Sequence, residues 1–300
     1  MNRLTKQDRV AILKCLVEGM SIRATSRITG RSKNTVTNLL VSVGKVALDH
    51  QDATLQGLPC KRIQCDEIWS FVGAKQKNVE KGAAGAGDVW TWTAICADTK
   101  IVPTWRIGTR DGDTAKDFIV DLAGRLSERV QLTTDGHKPY IDAVDAAFGC
   151  NIDYAMLIKD YKGGGSDKSP STRYSPGKCC GTEKRPLQGT PDPAHISTSY
   201  VERCNLTMRM SMRRFTRLTN AFSKKVENHA HAVALHFWHY NFARIHKTLK
   251  VTPAMAAGVT EHLLDLGDLV NLLEKREAEE DEANPVRPGR KAKNQAKESK

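Results

Sequence analysis

Three absences narrow the class of this chain. No apolar run in its 300 residues approaches the roughly 20 that a membrane span requires. The opening residues, MNRLTKQDRV, hold no apolar stretch of the signal-peptide kind, so a cytoplasmic protein is expected, close to whatever nucleic acid the cell keeps there. None of the eight cysteines stands in a Cys-x-x-Cys pair, which leaves a zinc-finger framework without support. Such thiols are expected to be reduced and to sit in the core or to be incidental, the adjacent Cys179 and Cys180 included. Acid is also short: 34 Asp and Glu stand against 46 Lys and Arg, a formal charge of +12. That surplus points to a polyanionic partner, because Lys and Arg release the counterions condensed on phosphates. The 40% hydrophobic content excludes wholesale disorder and implies a packed core.

The first fifty residues have a helical texture. Apolar positions recur over residues 4–17, Ser21 can cap a second helix, Gly30 ends it, and Ser32 can cap a third. Two helices joined by a short Gly-containing turn are the pattern of a helix-turn-helix. Lys33, Asn34, Thr35 and Asn38 then fall where base contacts are made. The plainer reading of the same pattern is a three-helix packing unit. Residues 51–61 are polar and read as a linker. Beyond it come strand-like runs at 62–72, 89–97, 101–107, 130–134 and 152–158, with helices predicted over 114–126 and 139–148. Residues 159–198, rich in Gly, Ser and Pro, are expected to form an irregular insertion. A long helical region should follow to about 249, with a break near Asn220, and a charged helix and disordered tail should close the chain over 258–300.

Three acids fall at special places in this order. Asp66 is inside the first strand, Asp135 is at the tip of the fourth, and Glu202 opens the helix after the fifth. First and fourth strands can be direct neighbours in a mixed sheet, which would bring two of the carboxylates together and let a helix supply the third. Oxygen ligands of this kind suit Mg²⁺ or Mn²⁺, and a pair of such ions can activate a water or 3′-hydroxyl against a phosphodiester. Each acid also has a bland reading: a strand surface charge for Asp66, turn chemistry for Asp135-Gly136, a helix-dipole charge for Glu202. Their joint placement is what favours a site.

The stretches CDEIWSFVG around Asp66, TTDGHKPY around Asp135 and TSYVERCNLTMRM around Glu202 resemble the insertion-sequence-one family of bacterial DDE transposases. The resemblance covers roughly residues 60–257, and YNFARIHKTL followed by Thr252-Pro253 adds to it. It implies an α/β fold: an RNase H-like mixed five-stranded sheet with flanking helices over 62–257, preceded by an all-α helix-turn-helix domain over 1–50. It implies the acidic triad Asp66, Asp135 and Glu202, two Mg²⁺ or Mn²⁺ ions, and DNA as partner, both terminal inverted repeats and target, with assembly as a homo-oligomer on that DNA. The interval from Asp135 to Glu202 is longer than in the best-known members, which leaves Asp160 and Glu183 as alternatives for the third acid.

The helix carrying Glu202 offers a separate signal. At about 100° per residue, Arg209 and Arg213 return to the Glu202 face. Arg203, Arg214 and Arg217 add charge that no neighbouring acid pairs, which favours contact with DNA phosphates. His229, His231, His236, His239 and His246 alternate with apolar residues and are expected to pack rather than to bind zinc. Two rival readings share these features: an RNase H-like nuclease that cuts without joining, and a DNA-binding regulator without catalysis.

Overall fold

Serine and threonine caps define the helical start of the chain. In a computed structural model, which describes residues 4–80, 85–162, 178–216 and 220–283, helix α1 spans Lys6–Val17, α2 spans Ile22–Thr29 and α3 spans Lys33–Thr54. Thr5, Ser21 and Ser32 each accept a backbone N–H of the following first turn with the side-chain oxygen, satisfying a donor that a helix N-terminus would otherwise leave unpaired. Gly30 ends α2 with φ +68°, a left-handed conformation that costs glycine nothing. Helix α3 runs on through residues that read as the start of a linker: 51–54 are helical, and Gln51 Nε2 donates to the Ala234 carbonyl at 3.2 Å.

The strands fall on the apolar runs, most of them buried on both faces of the sheet. Strand β1 is Arg62–Val72, β2 Gly87–Cys96, β3 Trp105–Gly108, β4 Val130–Thr134, β5 Ile152–Lys162 and β6 Lys178–Gln188. Helices α4, Gly112–Arg125, and α5, Pro139–Phe148, alternate with them. The sheet order is β3-β2-β1-β4-β5-β6, with β1 and β4 adjacent as expected, and paired parallel. Its first five strands make the RNase H-like arrangement. The sixth is a departure from the five strands expected. Within the stretch expected to be irregular, Lys178–Gln188 pairs antiparallel with β5, which itself extends to Lys162. The polar composition misled because both strands of this hairpin reach beyond the core, where strand pairing needs no apolar face.

The helical region expected after the insertion is two helices, α6, Ser199–Ser211, and α7, Val226–Trp238, and the break between them includes Asn220 as expected. A π-helical turn, His239–Ala243, extends α7, α8 is the single turn Pro253–Ala256, and α9 is Leu266–Ala283. Odd-numbered side chains of β1, such as Ile63 and Cys65, face α4 and α5 with Trp92, Phe118 and Tyr140. Even-numbered Ile68 faces α6 and α7, with Val201, Met208, Val233 and Phe237. The N-terminal helices share the first of these cores, through Val36, Leu40, Val43 and Ala47. Where α3 crosses α7, Gly44 lies against His231: a Cβ at 44 would stand 2.7 Å from the His231 Cα. Helix α9, the charged C-terminal helix expected, covers α1 and α3 with Leu269, Val270 and Leu273, and Glu277 pairs with Arg9 at 2.9 Å.

Candidate active site

Register places the acids. The parallel pairing of β1 with β4 ends at Cys65 opposite Thr134, so Asp66 and Asp135 are the next residues on each strand. Their side chains meet beyond the last pair, where β4 turns away into Gly136. On the same face as Asp66, Gln64 is buried and its Oε1 accepts the backbone N–H groups of Tyr200 and Val201 at 2.8 and 3.2 Å. These are donors that the N-terminus of α6 leaves open, since its cap position Thr198 makes no side-chain capping bond. One helical turn on, Asn205 Nδ2 donates to Asp66 Oδ2 at 2.9 Å. Gln64 and Asp66, two residues apart on one strand face, thus fix the start and first turns of α6. That brings Glu202 over the sheet.

Asp66, Asp135, Glu202 and Arg209 all line one open cleft of about 740 Å³, with Arg110, Lys159, Tyr161 and Thr198 also in its wall. Asp135 Oδ1 accepts the His137 N–H at 3.0 Å. Glu202 is held by Thr198 Oγ1, which donates at 2.6 Å, and by an ion pair with Lys159. One carboxylate oxygen each from Asp66, Glu67 and Asp135 lies within 4.8 Å of the others. Glu202 stands outside that inner group. Glu67 is buried on the α5 side of β1, opposite to Asp66 as strand alternation requires, and reaches Asp135 through the gap left by β4. Behind it, the Tyr140 hydroxyl is placed to donate to the Glu67 carboxylate.

The electrostatics reflect this crowding. Burial, and then the neighbouring Asp135, push the Asp66 carboxyl up to about 6; Glu202 adds to the rise, while the Glu67 N–H and Asn205 oppose it. The same two leading causes push Glu67 up to about 7. The Asp66 and Asp135 carboxylates, costly to ionise side by side at the cleft wall, make an oxygen donor set that fits a hard divalent cation such as Mg²⁺ or Mn²⁺.

The expected cationic residues divide. Arg209 reaches the cleft. Arg203 and Arg213 are exposed outside it, and helical periodicity does not carry to Arg213 because α6 stops at Ser211. Arg214 turns inward instead of joining the surface: its guanidinium donates to Ser223 Oγ at 2.5 Å, and burial lowers its pKa to about 10. Arg217 lies outside the described residues. Lys33, Asn34 and Asn38 are exposed and Thr35 half-buried at the start of α3. The alternatives Asp160 and Glu183 are exposed on the β5–β6 hairpin, away from the cleft wall. His229 and His236 are buried, and burial drives both down to about 3, in keeping with packing roles. Gln64, Arg110, Lys159 and Asn205 were not anticipated. Alternation from Asp66 marks Gln64, and helical spacing from Glu202 marks Asn205; no pattern marks Arg110, which comes from the loop after β3.

Fold and cleft together define an RNase H-like α/β protein with a carboxylate site competent for a metal. Within that class the chain is similar to the insertion-sequence-one transposases. It is 26% identical over 166 residues to the insertion element iso-IS1n protein InsB of Shigella dysenteriae, across 55% of this chain and 86% of that protein. No protein-family model matches. Among solved structures, the piggyBac transposase synaptic complex with hairpin DNA overlaps with a TM-score of 0.37 at 9% identity, covering 96% of this chain and 75% of that one. The Mos1 transposase paired-end complex with left transposon end overlaps at 0.22 and 12% identity, covering 51% and 59%. The chain therefore spans little more than half of the Mos1 protein.

Proposed function

We propose that this chain is a DDE transposase of the insertion-sequence-one kind, which cuts DNA at the ends of a mobile element and joins the freed 3′-hydroxyl to a target. The observation that carries the reading is the convergence of Asp66, Asp135 and Glu202, from β1, the tip of β4 and α6, on one cleft that Arg209 also lines. Asp66 and Asp135 would hold Mg²⁺ or Mn²⁺, with Glu202 completing the set once it leaves Lys159. Two such ions, when bound, would activate the attacking oxygen and stabilise the leaving one. The protein's own part is positional. Gln64 and Asn205 fix the carboxylates relative to one another, and Arg209 meets the phosphodiester from the helix side.

The helix-turn-helix role belongs to the same proposal. Lys33, Asn34 and Asn38 present an exposed polar surface at the first turn of α3, suited to reading a DNA groove. The +12 charge supports a polyanionic partner. Among the described residues no helix is long and apolar enough to cross a membrane. We place the protein in the cytoplasm on its DNA, assembled there as a homo-oligomer. The test is direct: purified chain is incubated with duplexes taken from the DNA flanking its reading frame, with Mg²⁺ or Mn²⁺. Cleaved and joined products support transposition. Cleavage without joining would reduce the protein to a nuclease, and binding without either to a regulator.

A further inference from the structure

Arg110 is a cation of the cleft that no sequence pattern marked, and it is held more firmly than a surface arginine needs to be. Its Nε donates to Glu67 Oε2 at 3.1 Å, and Glu67 has a side chain only 1% exposed. Its guanidinium carbon stands 4.8 Å from the centre of the Trp90 ring, within cation–π range. Its remaining edge faces Asp135, with Nη2 at 3.6 Å from Oδ2, and lines the cleft. Glu67 itself does not line the cleft; it lies behind Arg110. A buried carboxylate below, an aromatic ring on one face and a strand-tip acid beside it hold the guanidinium in the wall of the cleft.

We propose that Arg110 is a substrate-contacting residue that grips a phosphate of the cleaved strand from the sheet side, opposite Arg209, and that Glu67 is its positioning residue rather than a metal ligand. This rests on the reading of the cleft as a phosphodiester site. A fixed guanidinium suits the task because its planar fork matches phosphate oxygens and needs no reorganisation as charge develops there. Glu67 contributes by accepting from Nε, which leaves the Nη edge for the substrate. A Gln at position 67 can still accept that bond through its amide oxygen, whereas a Met of similar volume cannot. A carboxylate metal ligand would be lost in both variants, since an amide is a poor substitute for its charge.

The full-length chain and four variants decide it: Arg110→Gln, Arg110→Lys, Glu67→Met and Glu67→Gln. Duplexes from the DNA flanking the reading frame give affinity across a salt series in Ca²⁺, and single-turnover cleavage in Mg²⁺. Mn²⁺ affinity is measured on the protein alone by calorimetry. Arg110→Gln should lower the salt slope by about one and slow cleavage by about 100-fold. Arg110→Lys should keep the slope and lose most of the rate, because the fork is gone. Glu67→Met should follow Arg110→Gln, Glu67→Gln should recover most of the loss, and Mn²⁺ affinity should stay close to wild type in both Glu67 variants. A tenfold loss of Mn²⁺ affinity in Glu67→Gln would overturn the assignment and make Glu67 a ligand. Unchanged slope and rate in Arg110→Gln would also overturn it. If Glu67→Met does not fold, the Arg110 pair and Glu67→Gln still decide. Wild-type protein that neither binds nor cuts DNA would sink the reading beneath the proposal, and is distinguishable because the variants are then irrelevant.

Discussion

Asp66→Asn should make the protein more stable at pH 8 and inactive. In the folded chain burial and the Asp135 charge raise the Asp66 carboxyl from an ordinary 3.8 to about 6. A folded-state value above the unfolded one means that folding binds the proton more tightly. The associated stability is fully present below about pH 4 and is lost as pH rises through 6. Above both values the ionised Asp66 costs about 3 kcal/mol, at 1.36 kcal/mol for each pH unit of displacement. Asn removes that cost while its side-chain oxygen can still accept the Glu67 N–H, a bond of 2.8 Å in the wild type. At roughly 2 °C per kcal/mol for a chain of this size, the midpoint should rise by about 6 °C at pH 8 and hardly change near pH 4. Thermal melts of wild type and variant from pH 4 to 8, with and without Mn²⁺, measure it. Mn²⁺ should raise the wild-type midpoint above pH 6 and leave the variant's almost unmoved. A variant less stable than wild type at pH 8, or a gain as large at pH 4, would refute the claim that Asp66 is kept charged at the expense of the fold.

Asp135→Asn and Glu202→Gln should each abolish cleavage and joining while leaving duplex affinity within a few-fold of wild type, as gel shifts beside activity assays will show. Gln64→Leu leaves the Tyr200 and Val201 N–H groups without their acceptor; chemical denaturation should register a loss of about 1–3 kcal/mol, and cleavage should slow because α6 no longer holds Glu202 in place. Gly44→Ala should force α3 away from His231 at a cost of about 1–3 kcal/mol, visible as a lower denaturation midpoint with an unchanged slope. In the full chain, Asn38→Ala should alter preference among flanking-DNA duplexes without changing the salt dependence, whereas Lys33→Gln should lower the salt slope by about one with no change of preference.

Much of this was legible because local rules and tertiary demands agreed. Ser21, Gly30 and Ser32 cap and stop helices by chemistry that acts within four residues, and β1 announces itself by its run of branched and aromatic residues, Ile63, Ile68, Trp69, Phe71 and Val72. The juxtaposition of Asp66 and Asp135 was inferable once strand order was guessed, since parallel neighbours present successive residues at matching heights. What failed needed information from elsewhere in the chain. Strand β6 is polar because only β5 pairs it, and sequence patterning reports buried faces rather than partners. Arg214 reads as one more surface cation, and only the position of Ser223 shows that it turns inward. Residues 51–54 look like linker because their polarity conceals that Gln51 bonds back to Ala234, 183 positions away.

That last contact changes what the first helices can do. Helix α3 has 22 residues, so it is about 33 Å long, and it is clamped to α7 along much of that length at Gly44 and Gln51. A flexible tether would let a bound DNA site wander relative to the cleft and blur the position of cutting. A rod fixed at one end to the catalytic core acts as a ruler. In the proposed reading, the sequence contacted at Lys33–Asn38 and the phosphate presented to Asp66 and Asp135 are held at a set separation and a set rotational phase. Moving the binding sequence by half a helical turn of DNA would then abolish cutting rather than shift it.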